Sequence, residues 1–378
     1  MILKYDCRYF EGDRPCEPHK REGVKCDTCP YYEVIKSKIL IVKLDAIGDV
    51  LRTTAILHGL KEDYPGSEIT WVTRSSAMPI FKNNTLVNQV LEYESAGTMY
   101  FLYVQQFDVV INLDAAQPSA ALASLAKGTR KLGFGMDARG KVYPFNEEAI
   151  SWFEMGAFDD IKKKNTHTYQ DIMLDICKIS QSNKEIVLSL SPDEIQFAEQ
   201  FSQSYQLKKT NRTIGMNTGA SPRWQFKQWT LEGYTGLIKK ILKETDWTIL
   251  LYGGPYERER NATLAAIDKK RVIDTGSDNS LRQFFSLITL SDVFITGDTL
   301  AMHAATALKK NVIALFGPTS EAEIETYGGR IIKIHADLDC LCCYKMRCDF
   351  DPNCMNSITP DRIFFAVKSA LQTIKILH

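Results

Sequence analysis

The sequence has no net charge, no long apolar run and few glycines where a phosphate-binding loop would need them. Its 46 basic and 46 acidic residues cancel, which removes the electrostatic argument for a nucleic acid as main partner. No apolar stretch approaches the roughly 20 residues that a membrane-spanning helix needs. Charged residues interrupt the start of the sequence before an apolar core can form, so no signal peptide is predicted. These absences predict a cytoplasmic protein without a transmembrane segment, with peripheral attachment at the inner face of the cytoplasmic membrane left open.

Short β-branched runs alternate with helical patterns from Ile39 onward. Strands are predicted at residues 38–44, 68–73, 108–113, 213–217, 247–253, 292–297 and 311–317. Helical patterns lie between them, for example at residues 51–64, 231–244 and 300–309. Buried parallel strands that alternate with helices indicate an α/β fold with ligands at the carboxyl ends of the strands.

The length of 378 residues favours two domains rather than one core. A polar stretch near residues 180–185 separates two series of strands and helices. We predict a cysteine-rich segment over 1–36, a Rossmann-like domain over 37–190, a second over 191–359 and a C-terminal helix over 360–378. The crevice between the two Rossmann-like domains is the expected site.

The motif LDAIGDVLRTT at residues 44–54 follows the first strand and contains one glycine and two acids. A nucleotide-binding loop usually has several glycines at such a turn. A carboxylate at the mouth of a parallel sheet instead suits the removal of a proton from a hydroxyl. Asp49 is the first candidate and Asp45 the second, although from spacing alone Asp49 could equally be a helix N-cap.

The loop after the strand at 213–217 suits a nucleotide diphosphate. It reads TGASPRWQFKQW, and small residues such as Thr218 and Ser221 let backbone N–H groups approach a phosphate. Arg223 and Lys227 supply compensating positive charge. Alone, Lys227 could equally be a surface lysine.

Two further loops follow strands of the second half. Glu257 in GPYERER could accept hydrogen bonds from ribose hydroxyls, and Asp298 and Thr299 open the helix of GDTLAMHAATAL. His303 lies one turn inside that helix. Each residue has a structural alternative, such as a helix cap or a buried histidine, but three such loops at one sheet edge together favour a nucleotide site.

These four motifs, extended to LFGPT at residues 315–319, resemble the signature blocks of the family-9 glycosyltransferases, the heptosyltransferase family. The resemblance runs from about residue 38 to 376. It implies a GT-B architecture with the acceptor on the first domain and the sugar nucleotide on the second. It also implies inverting transfer without a catalytic metal, mostly from ADP-heptose, in lipopolysaccharide biosynthesis or protein glycosylation.

By motif, Asp49 matches the general base of the family, Lys227 its phosphate-binding lysine and Glu257 the acid that holds the nucleoside. Asp298, Thr299 and the N–H groups that follow match the loop that holds sugar and diphosphate. Leu300 stands where a glycine is commoner, so the donor class is better defined than its sugar. The predicted donor-binding set is Thr218, Ser221, Arg223, Lys227, Glu257, Asp298, Thr299, Leu300, Ala301 and His303.

The predicted reaction is transfer of a sugar, heptose first, from an ADP-sugar to an acceptor hydroxyl. The acceptor stays open between a glycan, a lipid-linked sugar, a protein and a small metabolite. Four basic residues within 127–139 suit an acidic acceptor, but we interpret this stretch as a solvated loop. Two other functions are considered: a metal-stapled binding or scaffold protein, and a nucleotide-sugar processing enzyme such as an epimerase.

Nine of the ten cysteines fall into two clusters, a pattern typical of metal thiolates in a cytosolic chain. The C-terminal cluster offers four ligands for zinc or iron: Cys340, Cys343, Cys348 and Cys354. The N-terminal cluster is looser, and zinc is its expected occupant: Cys7, Cys16, Cys26 and Cys29. A closed site of four thiolates has a structural rather than a catalytic role. The C-terminal cluster resembles the cysteine-rich, iron-binding branch that modifies autotransporter proteins.

Overall fold

The first half of the chain forms a six-stranded sheet. The computed structural model describes residues 2–180, 183–207 and 211–376, without the side chains of residues 222, 223, 225 and 373–376. The first six strands are β1 (Ser37–Val42), β2 (Ser67–Thr73), β3 (Gln89–Glu92), β4 (Gln106–Asn112), β5 (Lys127–Met136) and β6 (Val142–Pro144). Their order is β3-β2-β1-β4-β5-β6. All neighbours are parallel except β5 and β6, which are antiparallel.

The second half forms another six-stranded sheet, which is parallel throughout. Its strands are β7 (Thr213–Asn217), β8 (Thr248–Tyr252), β9 (Val272–Asp274), β10 (Val293–Gly297), β11 (Asn311–Phe316) and β12 (Ile331–His335). They lie in the order β12-β11-β10-β7-β8-β9. The two sheets confirm the predicted α/β class, and all seven predicted strands are present within one or two residues.

Helices connect the strands and cover the sheets. They are α1 (Glu17–Glu22), α2 (Ile47–Thr53), α3 (Ile56–Asp63), α4 (Ala96–Val104), α5 (Gln117–Leu125), α6 (Ile150–Ala157), α7 (Asp159–Lys163), α8 (Tyr169–Cys177), α9 (Pro192–Ser204), α10 (Leu231–Glu244), α11 (Arg258–Ala265), α12 (Leu281–Ile288), α13 (Leu300–Ala307) and α14 (Pro360–Ile376). Among the helices described, none is both long and apolar enough to cross a membrane.

The central strands are apolar on both faces because both faces are covered. In β1, Ile39 and Ile41 pack into one hydrophobic cluster, while Leu40 and Val42 pack into another on the opposite face. All four side chains are fully buried. This burial explains the continuous apolar run in the sequence, which is typical of parallel strands between two helical layers.

The last helix packs on the second sheet, as its apolar spacing predicts. Ile363, Phe364 and Val367 of α14 join a cluster with Ile313 and Leu315 of β11. At the other end of the chain, the segment before β1 has little regular structure. It contains α1, a short 3₁₀ turn at Cys26–Thr28 and one antiparallel bridge between Cys7 and Val34.

The structure corrects two local predictions, while the domain boundaries stay a prediction. The helix expected at 51–64 is divided into α2 and α3 near Thr54, whose hydroxyl donates to the Leu51 carbonyl (2.7 Å) and accepts from the Val187 N–H (2.9 Å). Most of the basic stretch 127–139 is strand β5 rather than a loop. Its Lys131 donates to the carbonyls of Ala123 (3.0 Å) and Ser124 (2.7 Å).

The tight packing behind β7 generates a stability prediction. A Cβ on Gly215 would lie 2.4 Å from Ser291 Oγ and 2.6 Å from Phe294 Cδ2. We expect Gly215→Ala to lower the free energy of unfolding by about 1–3 kcal/mol, because a packed core accommodates added volume poorly. Gly97→Ala, in the exposed first turn of α4, is the matched control. Equal stability of both variants in chemical denaturation would contradict the prediction.

Candidate active site

A cavity of about 940 Å³ lies between the two halves of the chain and is lined by residues from both. The lining loops follow β1 and β4 of the first sheet and β7, β8, β10 and β11 of the second. They therefore lie at the carboxyl ends of parallel strands, where α/β folds bind ligands. The crevice expected from the sequence is present at this position.

Two helices, one from each half, begin at this cavity and nearly touch. A Cβ on Gly48 would lie 3.3 Å from Leu300 Cα and 3.4 Å from His303 Cδ2. Gly48 is the second residue of α2, and Leu300 is the first residue of α13. The single glycine of LDAIGDVLRTT thus permits close approach of two helix N-termini, whose partial positive charges both act on the cavity.

Asp49 lies in the first turn of α2 and lines the cavity. One carboxylate oxygen accepts from the Ala46 N–H (3.3 Å), and the other pairs with the Arg52 guanidinium (2.9 Å). The side chain remains 37% exposed. Burial alone would raise the pKa of Asp49, but the charges of Arg52 and Lys43 outweigh it and hold this pKa below its ordinary value. Asp49 is therefore an ionised carboxylate open to the cavity.

The turn before Asp49 is anchored by a buried ion pair. Lys43 contacts Asp114, which lies just after β4, and both side chains are almost completely buried. The other Asp114 oxygen accepts the Leu44 N–H (2.6 Å) and, more weakly, the Asp45 N–H (3.4 Å). A buried carboxylate with these partners fixes where the chain leaves β1.

Arg52 is a buried cation between two carboxylates from different halves. Its guanidinium pairs with Asp49 and lies 3.7 Å from Glu323, in the loop after β11. The guanidinium carbon lies 3.6 Å from the centre of the Tyr169 ring, a favourable cation–π distance. Although burial opposes it, the Asp49 charge raises the pKa of Arg52, so the side chain stays a cation.

Lys227 and Asp298 form a second charged pair on the opposite wall. The Lys227 ammonium donates to Asp298 Oδ2 (2.8 Å) and to the Asp298 carbonyl (3.2 Å). Although burial opposes it, the Lys227 charge holds the pKa of Asp298 well below its ordinary value. Gly297 makes this approach possible, because a Cβ there would lie 2.3 Å from the Lys227 carbonyl oxygen.

His303 is a neutral base inside the same cavity. It is 7% exposed and lies in α13, one turn after Thr299. Burial and the nearby Arg52 charge lower the pKa of His303 from 6.5 to about 4. Thr299, Leu300 and Ala301, which open α13, also line the cavity.

Glu257 also lines the cavity. Its buried carboxylate accepts from the Gly254 N–H (2.9 Å) and lies 3.5 Å from the Gln228 amide nitrogen. The Glu257 carboxylate can lie against the main chain of Gly219 because that residue has no side chain. A Cβ at Gly219 would lie 2.5–2.9 Å from the carboxyl atoms of Glu257. Ser221 lines the same cavity.

Two candidate residues, Thr218 and Asp45, do not line the cavity. The Thr218 side chain is fully buried, and its hydroxyl donates to Asn261 (2.6 Å). Asp45, the second candidate for the base, is exposed and pairs with Arg74 (2.7 Å). The side chain of Arg223 lies outside the described atoms.

Sequence reasoning missed cavity residues on both walls: Trp152, Lys162, Asn217, Glu323 and Tyr344. Glu323 follows β11, so its place at the same sheet edge was predictable from topology. Tyr344 lies within the C-terminal cysteine cluster, which drew attention only as a metal site. Trp152 and Lys162 belong to short helices after the first sheet, and no motif marks them.

The cysteines of each cluster converge on one cavity. Cys340, Cys343, Cys348 and Cys354 line a cavity of about 320 Å³, and Cys7, Cys16, Cys26 and Cys29 line one of about 240 Å³. Burial and the neighbouring cysteines raise the pKa of Cys354 to about 11. Within residues 2–180, 183–207 and 211–376, however, no three such side chains are arranged to hold a metal ion. The expected metal sites are therefore not confirmed.

The fold and the cavity define a two-sheet α/β protein with a GT-B-like arrangement. The glycosyltransferase family 9 structure from Veillonella parvula superposes with a TM-score of 0.74 at 18% identity, covering 90% of this chain and 99% of that chain. The E. coli ADP-heptose lps heptosyltransferase II superposes with a TM-score of 0.65 at 19% identity, covering 89% of this chain and 99% of that chain. The iron-containing dodecameric glycosyltransferase TibC from enterotoxigenic E. coli superposes with a TM-score of 0.55 at 9% identity, covering 90% of this chain and 77% of that chain.

Sequence comparison identifies the family. The family model for glycosyltransferase family 9 (heptosyltransferase) matches residues 101–353, more than half of the chain. The lipopolysaccharide core heptosyltransferase OpsX of Haemophilus influenzae is 22% identical over 297 residues, covering 76% of this chain and 81% of that protein. Lipopolysaccharide heptosyltransferase 2 of Salmonella typhimurium is 22% identical over 306 residues, covering 75% and 83%. The chain belongs to glycosyltransferase family 9 and is a glycosyltransferase.

The lowered pKa of His303 generates a prediction about stability and pH. Between pH 6.5 and 4 the unfolded chain binds a proton on this residue and the folded chain does not, so stability falls as the pH falls. We expect His303→Gln to remove about 2 kcal/mol of the stability loss between pH 7 and pH 5. Denaturant titrations of both proteins at the two pH values measure it, and parallel losses would contradict it.

Proposed function

We propose that this chain is an inverting glycosyltransferase that transfers heptose from ADP-heptose to an acceptor hydroxyl, with Asp49 as general base. The observation that carries the proposal is one cavity with an ionised carboxylate on one wall and a lysine beside a helix N-terminus on the other. The family supports the reaction class. ADP-heptose is the donor named for the E. coli heptosyltransferase II neighbour.

In the proposed reaction the acceptor oxygen attacks the anomeric carbon of the heptose while the bond from that carbon to the diphosphate breaks. Asp49 takes the proton of the hydroxyl, and its exposed fraction of 37% leaves room for this contact. Attack opposite the leaving group inverts the configuration. The products are the glycosylated acceptor, ADP and a proton on Asp49.

The opposite wall is suited to the charge that develops on the leaving ADP. The Lys227 ammonium is held at the start of α13, where the first backbone N–H groups of a helix point outward. Fixed positive charge of this kind stabilises a departing diphosphate without an acid. His303 is neutral near pH 7 and adds no charge of its own.

Glu257 is proposed to hold the nucleoside end of the donor, because its buried carboxylate lines the cavity next to Gly219. The acceptor is proposed to be a lipopolysaccharide-type glycan, since two relatives are named for lipopolysaccharide heptose transfer. It would approach from the first half, past Trp152 and Lys162.

The proposed roles of the two walls are separable by substitution. We expect Asp49→Asn to lower the rate of ADP release from ADP-heptose and acceptor by about 100- to 10,000-fold, because it removes the base. ADP affinity should change little. Lys227→Met should instead weaken ADP binding about 10-fold or more, because it removes a charged partner and leaves Asp298 unpaired.

Asp45→Asn is the matched control, since Asp45 is an exposed acid four residues away and outside the cavity. The turnover of Asp45→Asn should equal that of the unmodified protein. Full turnover by Asp49→Asn would reject the base, and equal loss of turnover and ADP affinity would make Asp49 structural. An acceptor-independent product from ADP-heptose other than ADP and free heptose would instead indicate an epimerase-like enzyme.

We also propose that the two cysteine clusters bind structural zinc or iron. Four thiols around one cavity are the donor set that these metals prefer. The iron of the TibC neighbour supports a metal in this fold, although that protein is only 9% identical. Bound metal would draw the sulfurs together and fix segments that have little regular structure.

Elemental analysis of the purified protein tests the metal sites separately. We expect Cys340→Ser and Cys26→Ser each to lower the content of zinc or iron by about one ion per chain, because a tetrathiolate site loses affinity with its fourth ligand. Cys177→Ser is the control, since Cys177 is buried in the core apart from both clusters. Unchanged metal content in a cluster variant would reject that site.

A further inference from the structure

Glu323 contributes a carboxylate near Arg52 and also bonds to Tyr169, the residue whose ring packs on Arg52. Its carboxylate lies 3.7 Å from the Arg52 guanidinium, and its side chain is only 10% exposed. Its main-chain carbonyl accepts the Tyr169 N–H (2.8 Å), and the Tyr169 ring packs on the face of the same guanidinium. A displacement of Glu323 would therefore move both the charge beside Arg52 and the ring beneath it.

Tyr344 forms a hydrogen bond with the Glu323 carboxylate. Its hydroxyl donates to Glu323 Oε1 (2.9 Å) and accepts the Ser320 N–H (3.2 Å). Its own N–H donates to the Pro318 carbonyl (2.7 Å). Tyr344 thus ties the loop after β11 to the C-terminal cysteine cluster at both its main chain and its side chain.

These contacts form one continuous series across the cavity. It runs from Tyr344 to Glu323, from Glu323 to Arg52 and from Arg52 to Asp49, with distances of 2.9, 3.7 and 2.9 Å. Arg52 is one cation shared by two carboxylates. If Glu323 lost its charge, Arg52 would pair with Asp49 alone and draw that carboxylate away from an incoming hydroxyl.

We infer that Glu323 and Tyr344 are positioning residues for Asp49, acting through Arg52, so that the cysteine-rich loop controls the geometry of the base. This inference rests on the proposed function, because it takes Asp49 as the group that accepts the proton. Neither residue needs to touch the substrate for this role. The role requires only that Glu323 keep its negative charge and its distance from Arg52.

The inference is tested by steady-state kinetics with ADP-heptose as donor and a lipopolysaccharide-type glycan as acceptor. We expect Glu323→Gln to lower kcat about 10-fold or more with the KM for ADP-heptose within about twofold, because the change acts on the base through Arg52 and leaves the Lys227–Asp298 pair intact. Tyr344→Phe should give a smaller loss of kcat. The double variant should be no worse than Glu323→Gln alone, since Tyr344 acts through Glu323.

Glu321→Gln is the matched control, because Glu321 lies in the same loop, is 41% exposed and does not line the cavity. It should leave kcat unchanged. Multiplying losses in the double variant, or a donor KM that rises as much as kcat falls, would overturn the inference. If Glu323→Gln keeps its kcat while Asp49→Asn is inactive, the positioning role of Glu323 is overturned and the proposed function is not. If Asp49→Asn is active, the proposed function itself is overturned.

Discussion

The close approach of α2 and α13 determines where the charged groups of the cavity lie. The two helices come from different halves, and they meet where Gly48 leaves room for Leu300 and His303. Each helix begins directly after a buried parallel strand, so the approach also aligns the carboxyl ends of the two sheets. A Cβ at residue 48 would lie 3.3 Å from Leu300 Cα and 3.4 Å from His303 Cδ2, so these neighbours would have to shift by a few tenths of an ångström. Gly48 therefore permits the close contact of the two helix N-termini at the cavity.

Charge compensation across the cavity follows from that approach. Arg52 of the first half lies between Asp49 of its own helix and Glu323 of the second half. Lys227 pairs with Asp298 within the second half. Burial without partners would be costly for all of these groups. Under the proposed function, an incoming diphosphate competes with Asp298 for the lysine, while the base keeps its own partner.

The sequence predicted the features that depend on local pattern and missed those that depend on contacts. Long buried strands and the helix at 360–376 were predictable from apolar spacing. Strand β5 was missed because its glycines and lysines indicate a loop, and only pairing with β4 makes it a strand. Thr218 belongs to the expected motif, yet its hydroxyl is used by Asn261 in the core. Spacing identifies which loop reaches a site, but side-chain direction depends on tertiary packing.

Tyr344 shows why one segment can serve two roles that sequence reasoning separates. Its neighbours in sequence are cysteines that line their own cavity, whereas its side chain lines the large one and contacts Glu323. A loop with little regular structure needs other constraints, and hydrogen bonds to the carbonyls of Gly317 and Pro318 supply them here. These bonds attach the loop directly to the end of β11. Under the inference drawn above, the Tyr344 hydroxyl then connects this loop to the carboxylate that shares Arg52 with Asp49.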